Sequence, residues 1–480
     1  MFFQRNMDLP PSAMEEAQSP SEFPEPIIDN CTRITARVYH PSRGSVMRVT
    51  NVLVPTQRMA NVRPHSKAKK PPPATKLTEV KEDDDSLSSC SDSSSSSSSS
   101  DDSDIAMEDE NDVPLTKKQP QQSSDKAYWL RRTLRKAIYG RVCHGSVLRR
   151  APVGETTYEW VMTEEECAVK ELSWEIIRKG RSRRMAENPL QEIAAMQYLQ
   201  NFYCNSNWQD THLLTPKDIL SDTTYLYMVL PFCSGGELFS EVQGRNNFSE
   251  EESRYYFKQI LVGVSHLQQA GVCHRDMSLE NCLLHRSSRT LAVIIDFGMC
   301  LKIPYRTRTA NTQNASVATL NLPQDLPTRD IVDYRTEERC WIVPSGTMGK
   351  WYYMSPEIVA NNIFDGYAID IWACGVMLFL MATGFPPWER ASAATDERFE
   401  YMSSGFTMQM LTEWNLGLSE DIKDLFMRMF WIDPHDRLCL AQILQHPWMT
   451  NQQLGEQHTS TQNNDTNEDS VTNMETSSTI

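Results

Sequence analysis

The stretch that most narrows what this chain can become is residues 273–298, CHRDMSLENCLLHRSSRTLAVIIDFG. Asp276 follows His274-Arg275, Asn281 comes five residues later, and Asp296 precedes Phe297-Gly298. Two carboxylates and a carboxamide are hard oxygen donors, the kind that Mg²⁺ takes together with phosphate oxygens and water. A carboxylate held in a loop can also orient a hydroxyl and accept its proton. Either tripeptide, H-R-D or D-F-G, is a weak signal alone. Both in order, with the Asn between them, put chance at roughly one in a hundred or less.

The chain has 480 residues and a formal net charge of −16. Thirteen acidic residues and one Lys fall within residues 79–112, so most of the excess charge sits in one stretch. The remainder is near neutral, which leaves no overall nucleic-acid footprint. Twelve cysteines are scattered without a C-x-x-C pair, the pattern of reduced thiols in an intracellular protein. The apolar runs fall short of a membrane span, and the start of the chain has no apolar region of the signal-peptide kind. Residues 1–124 read as mostly disordered, rich in Pro, Ser and charge. The uninterrupted serines 93–100 suit an acid-directed multisite target or a solvated spacer. Lys67-Ala68-Lys69-Lys70 reads as a weak nuclear address or a solvated basic run. One exception is residues 32–54, where Thr32, Ile34, Ala36, Val38, Val46, Val49, Val52 and Val54 hint at short strands without an evident role.

Further motifs follow in order. Cys167-Ala168-Val169-Lys170 lies on a strand-like run, and Glu192 lies on a helical pattern opened by Pro189. Residues 174–185 are basic and read as a solvated connection or a site for a phosphorylated segment. Residues 250–269 form an amphipathic helical pattern leading to His274. Met354-Ser355-Pro356-Glu357, Asp370-Ile371-Trp372-Ala373-Cys374-Gly375 and Asp433 to Arg437 complete the series. Together these resemble the eukaryotic protein kinases of Ser/Thr type, over about residues 133–449, with a C-terminal part similar to calcium/calmodulin-dependent members.

The resemblance implies an α+β, two-lobed fold over residues 125–449. A small lobe of antiparallel sheet plus one helix would sit on a larger, mainly helical lobe, with a disordered polar tail at residues 450–480. It implies an enzyme that transfers the γ-phosphoryl group of ATP, with Mg²⁺, to Ser/Thr hydroxyls of protein substrates. An upstream activating kinase is an implied partner, nucleic acid and membrane are not, and the location would be cytoplasmic with a nuclear option. Asp276 would be the base, and Asn281 and Asp296 the metal ligands. Gly140, Gly145 and Val147 would form the glycine-rich loop, with Val142 in place of its second glycine. Lys170, paired with Glu192, would hold the phosphates. Ala168 and Leu283 would bound the adenine pocket, and Leu230 would guard its back. Pro231 would offer its carbonyl and Cys233 its N–H at the hinge. Glu237 would reach the ribose or a basic substrate residue. Arg437 would pair with Glu357 as a structural tie. The activation segment would be long, residues 296–357, and Arg275 would await a phosphate there, on Ser345 or Thr347, with Glu337 or Glu338 as a built-in substitute anion. The alternative is a catalytically weak pseudokinase acting as a scaffold; a small-molecule kinase is disfavoured by the 354–357 motif.

Two departures form a pair. Ser278 stands where Ser/Thr members carry Lys, two residues after the catalytic Asp. Lys350, seven residues before Glu357, stands where they carry Thr. An exchange of hydroxyl and ammonium would put Lys350 in the cleft with Ser278 as its partner. The other reading aligns Gly346-Thr347 with that position and leaves Lys350 on the surface.

Overall fold

The computed structural model describes residues 19–56, 125–153, 157–182, 188–287, 290–303, 341–344, 346 and 349–450. The acidic and serine-rich stretch, the basic run 67–70, Ser345, Thr347, Glu337, Glu338 and the tail expected at 450–480 (beyond residue 450) lie outside them.

The small lobe is a closed sheet in the order β1-β2-β3-β4-β5-β7-β6. The strands are β1 Asp29–His40, β2 Ser45–Pro55, β3 Lys126–Ala137, β4 Gly140–Pro152, β5 Tyr158–Ser173, β6 Asp218–Ser221 and β7 Tyr225–Pro231. The expected antiparallel pairing holds for most of them. Closure comes from β1, which pairs in parallel with β6 at Asp29 and Asn30 and with β5 at Val38 and Tyr39. The folded unit therefore begins well before the expected boundary at residue 125. A bulge between Ile34 and Ala36 resets the two-residue period, so Ala36 and Val38 face the core while Ile34 is exposed. Inside the barrel, Leu53, Tyr128, Val147, Cys167, Val169 and Tyr227 pack together, all fully buried.

Among the described residues two helices of more than two turns accompany this sheet, where one was expected, besides a single turn at Trp208–Thr211. The first, α1 at Trp174–Ser182, replaces the solvated connection and buries Ile177. The second, α2 at Pro189–Phe202, opens with Pro189 in its first turn and Asn188 as N-cap, whose side chain accepts from the N–H of Leu190. Its buried residues Ile193, Met196 and Leu199 join the main core.

The large lobe is mainly helical. Helix α3, Glu250–Gln269, starts in a capping box between Ser249 and Glu252 and buries Phe257, Ile260, Leu261 and Val264. Helix α4, Gly366–Thr383, is apolar and long enough to cross a membrane, but 94% of it is buried inside the fold, so it is the core helix of this lobe. Its own Trp372 packs against Trp388 and Phe430, and its Phe379 against Phe426. Short strand pairs hold the loops between the lobes. They join β8 (Gly236–Glu237) to β10 (Cys282–Arg286), β10 to β11 (Thr290–Ile294), and β9 (Val272–Cys273) to β12 (Leu301–Lys302).

Candidate active site

The loop between β9 and β10 carries Asp276 and Asn281. It is pinned from below by Asp370 of α4, whose carboxylate accepts from the N–H of His274 at 2.6 Å and of Arg275 at 2.8 Å. Burial pushes the Asp370 carboxyl up to about 7, while those two donors pull the other way. Arg275 takes a left-handed backbone conformation, φ 67°, that turns the chain so that Asp276 points into the cleft. Asn281 donates its Nδ2 to the carbonyl of Asp276 at 2.8 Å and to its Oδ2 at 2.7 Å. That leaves the amide Oδ1 as the remaining polar atom of Asn281. The carbonyl of Asn281 accepts from the N–H of Ile295 at 2.9 Å, which sets Asn281 beside Asp296.

Burial raises the Asp276 carboxyl above its ordinary range; the nearby Lys350 ammonium opposes that most strongly. Asp296 is also left-handed, φ 65°. Phe297 behind it is fully buried in the core that Ile193 and Met196 of α2 share, with its ring 5.5 Å from His274. Across the cleft, Lys170 on β5 donates to both carboxylate oxygens of Glu192 on α2, at 2.8 and 2.6 Å. Glu192 is 6% exposed, so this ion pair is held in a low-dielectric setting and not on a solvated face.

The Ser278 and Lys350 side chains meet. Lys350 Nζ donates to Ser278 Oγ at 2.9 Å and stands 3.6 Å from Asp276 Oδ2. Ser278 is fully buried, and Gly349 lies so close that a Cβ there would be 3.2 Å from Asp276 Oδ1. The geometry sets Gly349-Lys350 beside Asp276; Thr347 of the other alignment lies outside the described residues.

The glycine-rich loop differs from expectation. The turn between β3 and β4 is Ile138-Tyr139, and β4 pairs with β5 so that Val142 opposes Lys170 and His144 opposes Ala168. Opposed residues of an antiparallel pair share a face. Val142 and His144 therefore roof the cleft, and His144 packs edge-on against Phe232 of the hinge at 4.5 Å. Gly145 and Val147 lie further along the strand: Gly145 opposes Cys167, and Val147 is buried inside the barrel against Tyr128. Gly140 is at the turn, but its missing Cβ serves strand approach, since one there would run into the carbonyl oxygen of Glu171. Counting register back from Lys170 would have added His144 beside Val142; the glycine pattern ran on instead to Gly145 and Val147.

Leu230 opposes Ala168 across β5 and β7, and Pro231 ends β7 opposite Cys167. Cys233 is buried, its thiol pushed up to about 12 by that burial. Leu283 is partly buried on β10, paired with Glu237. The carboxylate of Glu237 meets Arg135 of β3 at 2.7 Å, an ion pair from lobe to lobe. Arg275 lies over the ring of Phe364 at 5.5 Å. Arg437, fully buried, binds both oxygens of Glu357 at 2.8 and 3.1 Å, as expected of a structural tie.

A family model described as the protein kinase domain matches residues 156–322 and 332–449. Serine/threonine-protein kinase SAPK6 of Oryza sativa subsp. japonica is 26% identical over 280 residues, 56% of this chain and 67% of that protein. Serine/threonine-protein kinase SAPK2 of the same source is 27% identical over 288 residues, 60% of this chain and 70% of that protein. Serine/threonine-protein kinase SRK2F of Arabidopsis thaliana is 29% identical over 232 residues, 48% of this chain and 56% of that protein. With the model match covering more than half of its length, and with the two-lobed fold and the gathered Lys170, Glu192, Asp276, Asn281 and Asp296, the chain belongs to the protein kinase family.

Proposed function

We propose that this chain is a serine/threonine protein kinase that transfers the γ-phosphoryl group of MgATP to a hydroxyl of a protein substrate, with Asp276 as base. The observation that carries this reading is the Lys170–Glu192 ion pair, made across two separate elements within the cleft that also presents Asp276. A scaffold has no need of a lysine so held, whereas a phosphate-binding lysine does.

The donor set fits a hard cation. Asn281 has its side-chain nitrogen committed to Asp276 and its side-chain oxygen Oδ1 left over, and Asp296 adds a carboxylate. Those two residues would hold Mg²⁺, which neutralises charge on the phosphates when bound. Asp276 orients the substrate hydroxyl and accepts its proton. Lys170 fixes the phosphates, and Lys350 supplies the second cation beside Asp276 in place of a lysine at position 278. Val142 and His144 cover the nucleotide from above and Leu283 supports it from below. The carbonyl of Pro231 and the N–H of Cys233 serve as its hinge partners. Proline at 231 is tolerated because only its carbonyl is used. Arg275, a cation at the base of the activation segment, supports control by an upstream kinase through a phosphate on that segment.

Incubation of the purified full chain with γ-labelled ATP, Mg²⁺ and a Ser/Thr peptide library tests the reading. Label should appear on Ser or Thr, and Lys170→Met should lose at least about a hundredfold of the rate. Absence of transfer by the parent chain under these conditions would overturn it.

A further inference from the structure

The small lobe carries an addition that the reaction itself does not call for. Residues 21–55 precede the family-matched region, yet they contact each element that has to be in place for Lys170, Glu192 and Asp296 to converge. The N–H of Ser21 donates to the carbonyl of Lys302 at 3.0 Å, on the strand just after Phe297-Gly298. The ring of Phe23 packs edge-on against Tyr198 of α2 at 5.6 Å, and Lys302 Nζ covers the same Tyr198 ring at 4.7 Å. Ile27 is clasped at both polar atoms by one side chain of α2. Its N–H donates to Gln197 Oε1 at 2.8 Å, and Gln197 Nε2 donates to its carbonyl at 2.7 Å. The chain then enters β1. There Arg33 reaches Glu171 Oε2 at 3.0 Å, on the opposite face of β5 from its neighbour Lys170. Glu171 is 4% exposed and also receives Arg141 at 2.9 Å.

Gln197 and Tyr198 lie five and six residues after Glu192 on a 14-residue helix, about 8 Å along its axis. A helix that short does not hold its own position; packing does. We infer that residues 21–55 are a built-in positioning segment. The strap at residues 21–28 pins the outer face of α2 and the strand after Asp296. The hairpin β1–β2 pins β5 from behind Lys170. Together they keep Glu192 on Lys170 without any partner protein at that face of α2.

The mechanism makes a specific demand on nucleotide binding. If α2 is released, Lys170 loses the carboxylate that aims it at the phosphates, and the binding-competent fraction f of the protein falls. Apparent affinity then weakens as Kd/f, while saturating nucleotide pulls α2 back. This inference rests on the kinase reading, and the test separates the two. In the full chain, Gln197→Ala combined with Phe23→Ala should raise the MgATP Kd, read by calorimetry, about tenfold. It should leave kcat at saturating ATP within about twofold of the parent, and hydrogen exchange in residues 189–202 should accelerate. Arg43→Ala, on the exposed turn of the same hairpin, should change neither quantity. An unchanged Kd in the double variant would overturn the inference, as would a fall in kcat at constant Kd, which marks general loss of folded protein. A parent chain that binds MgATP but transfers no phosphate would sink the kinase reading alone, because the Kd comparison still measures the strap.

Discussion

Lys350→Ala isolates the least ordinary feature of the site. The ammonium stands 3.6 Å from Asp276 Oδ2 and 2.9 Å from Ser278 Oγ. Unit charges at that separation interact by about 1 kcal/mol in bulk water and about 4–5 kcal/mol at an effective dielectric near 20. The Lys350 side chain is 35% exposed, so solvent discounts the upper figure to about 2–3 kcal/mol. Applied to the charge that develops during transfer, that loss lowers kcat about 30- to 150-fold. Binding of ATP should change little, because the proposed function gives that role to Lys170 and the hinge. Single-turnover and steady-state transfer by Lys350→Ala, with ATP affinity measured separately, gives both quantities. The double variant Ser278→Lys with Lys350→Thr should recover part of the rate, since it restores one ammonium and one hydroxyl to the same pair of positions. Ser278→Lys alone should be worse than the double variant, because it sets two ammonium groups against each other at a buried site. A Lys350→Ala enzyme as fast as the parent would refute the exchange.

Two further outcomes follow from the same geometry. Burial raises the Asp276 carboxyl and Lys350 opposes the rise, so the acidic limb of the pH–rate profile should lie above the ordinary carboxylate range. It should move to still higher pH in Lys350→Ala, because loss of a neighbouring cation favours the protonated acid; a limb that stays in place or moves down contradicts this. Arg437→Ala leaves Glu357, 2% exposed, without its partner, which should cost about 3–5 kcal/mol of stability in denaturant titration; a loss below about 1 kcal/mol would show that the pair does not tie the segment down.

Much of the large lobe was legible because its chemistry is local. Asp276, Asn281 and Asp296 lie within one short stretch whose spacing alone sets their order. The position of Lys350 could be counted from Glu357, with no knowledge of the intervening loop. The small lobe was less legible because strand register is a tertiary property. The glycine pattern extended the loop to Gly145 and Val147, while pairing with β5 decides that Val142 and His144 share the face of Lys170. The strands at 29–55 showed an alternating pattern, but their neighbour β3 begins some seventy residues later, beyond the acidic stretch. Nothing near them in sequence says which sheet they join. Helix α1 was hidden by its basic residues, which read as a solvated loop although Ile177 anchors it.

The central claim is that this cleft performs phosphoryl transfer with Asp276 as its base. Asp276→Asn keeps the shape of the side chain and its neighbours but cannot accept the proton. In the purified full chain it should bind MgATP as the parent does and transfer the γ-phosphoryl group about a thousandfold more slowly. Parent-like transfer by Asp276→Asn, at equal ATP affinity, would contradict the account.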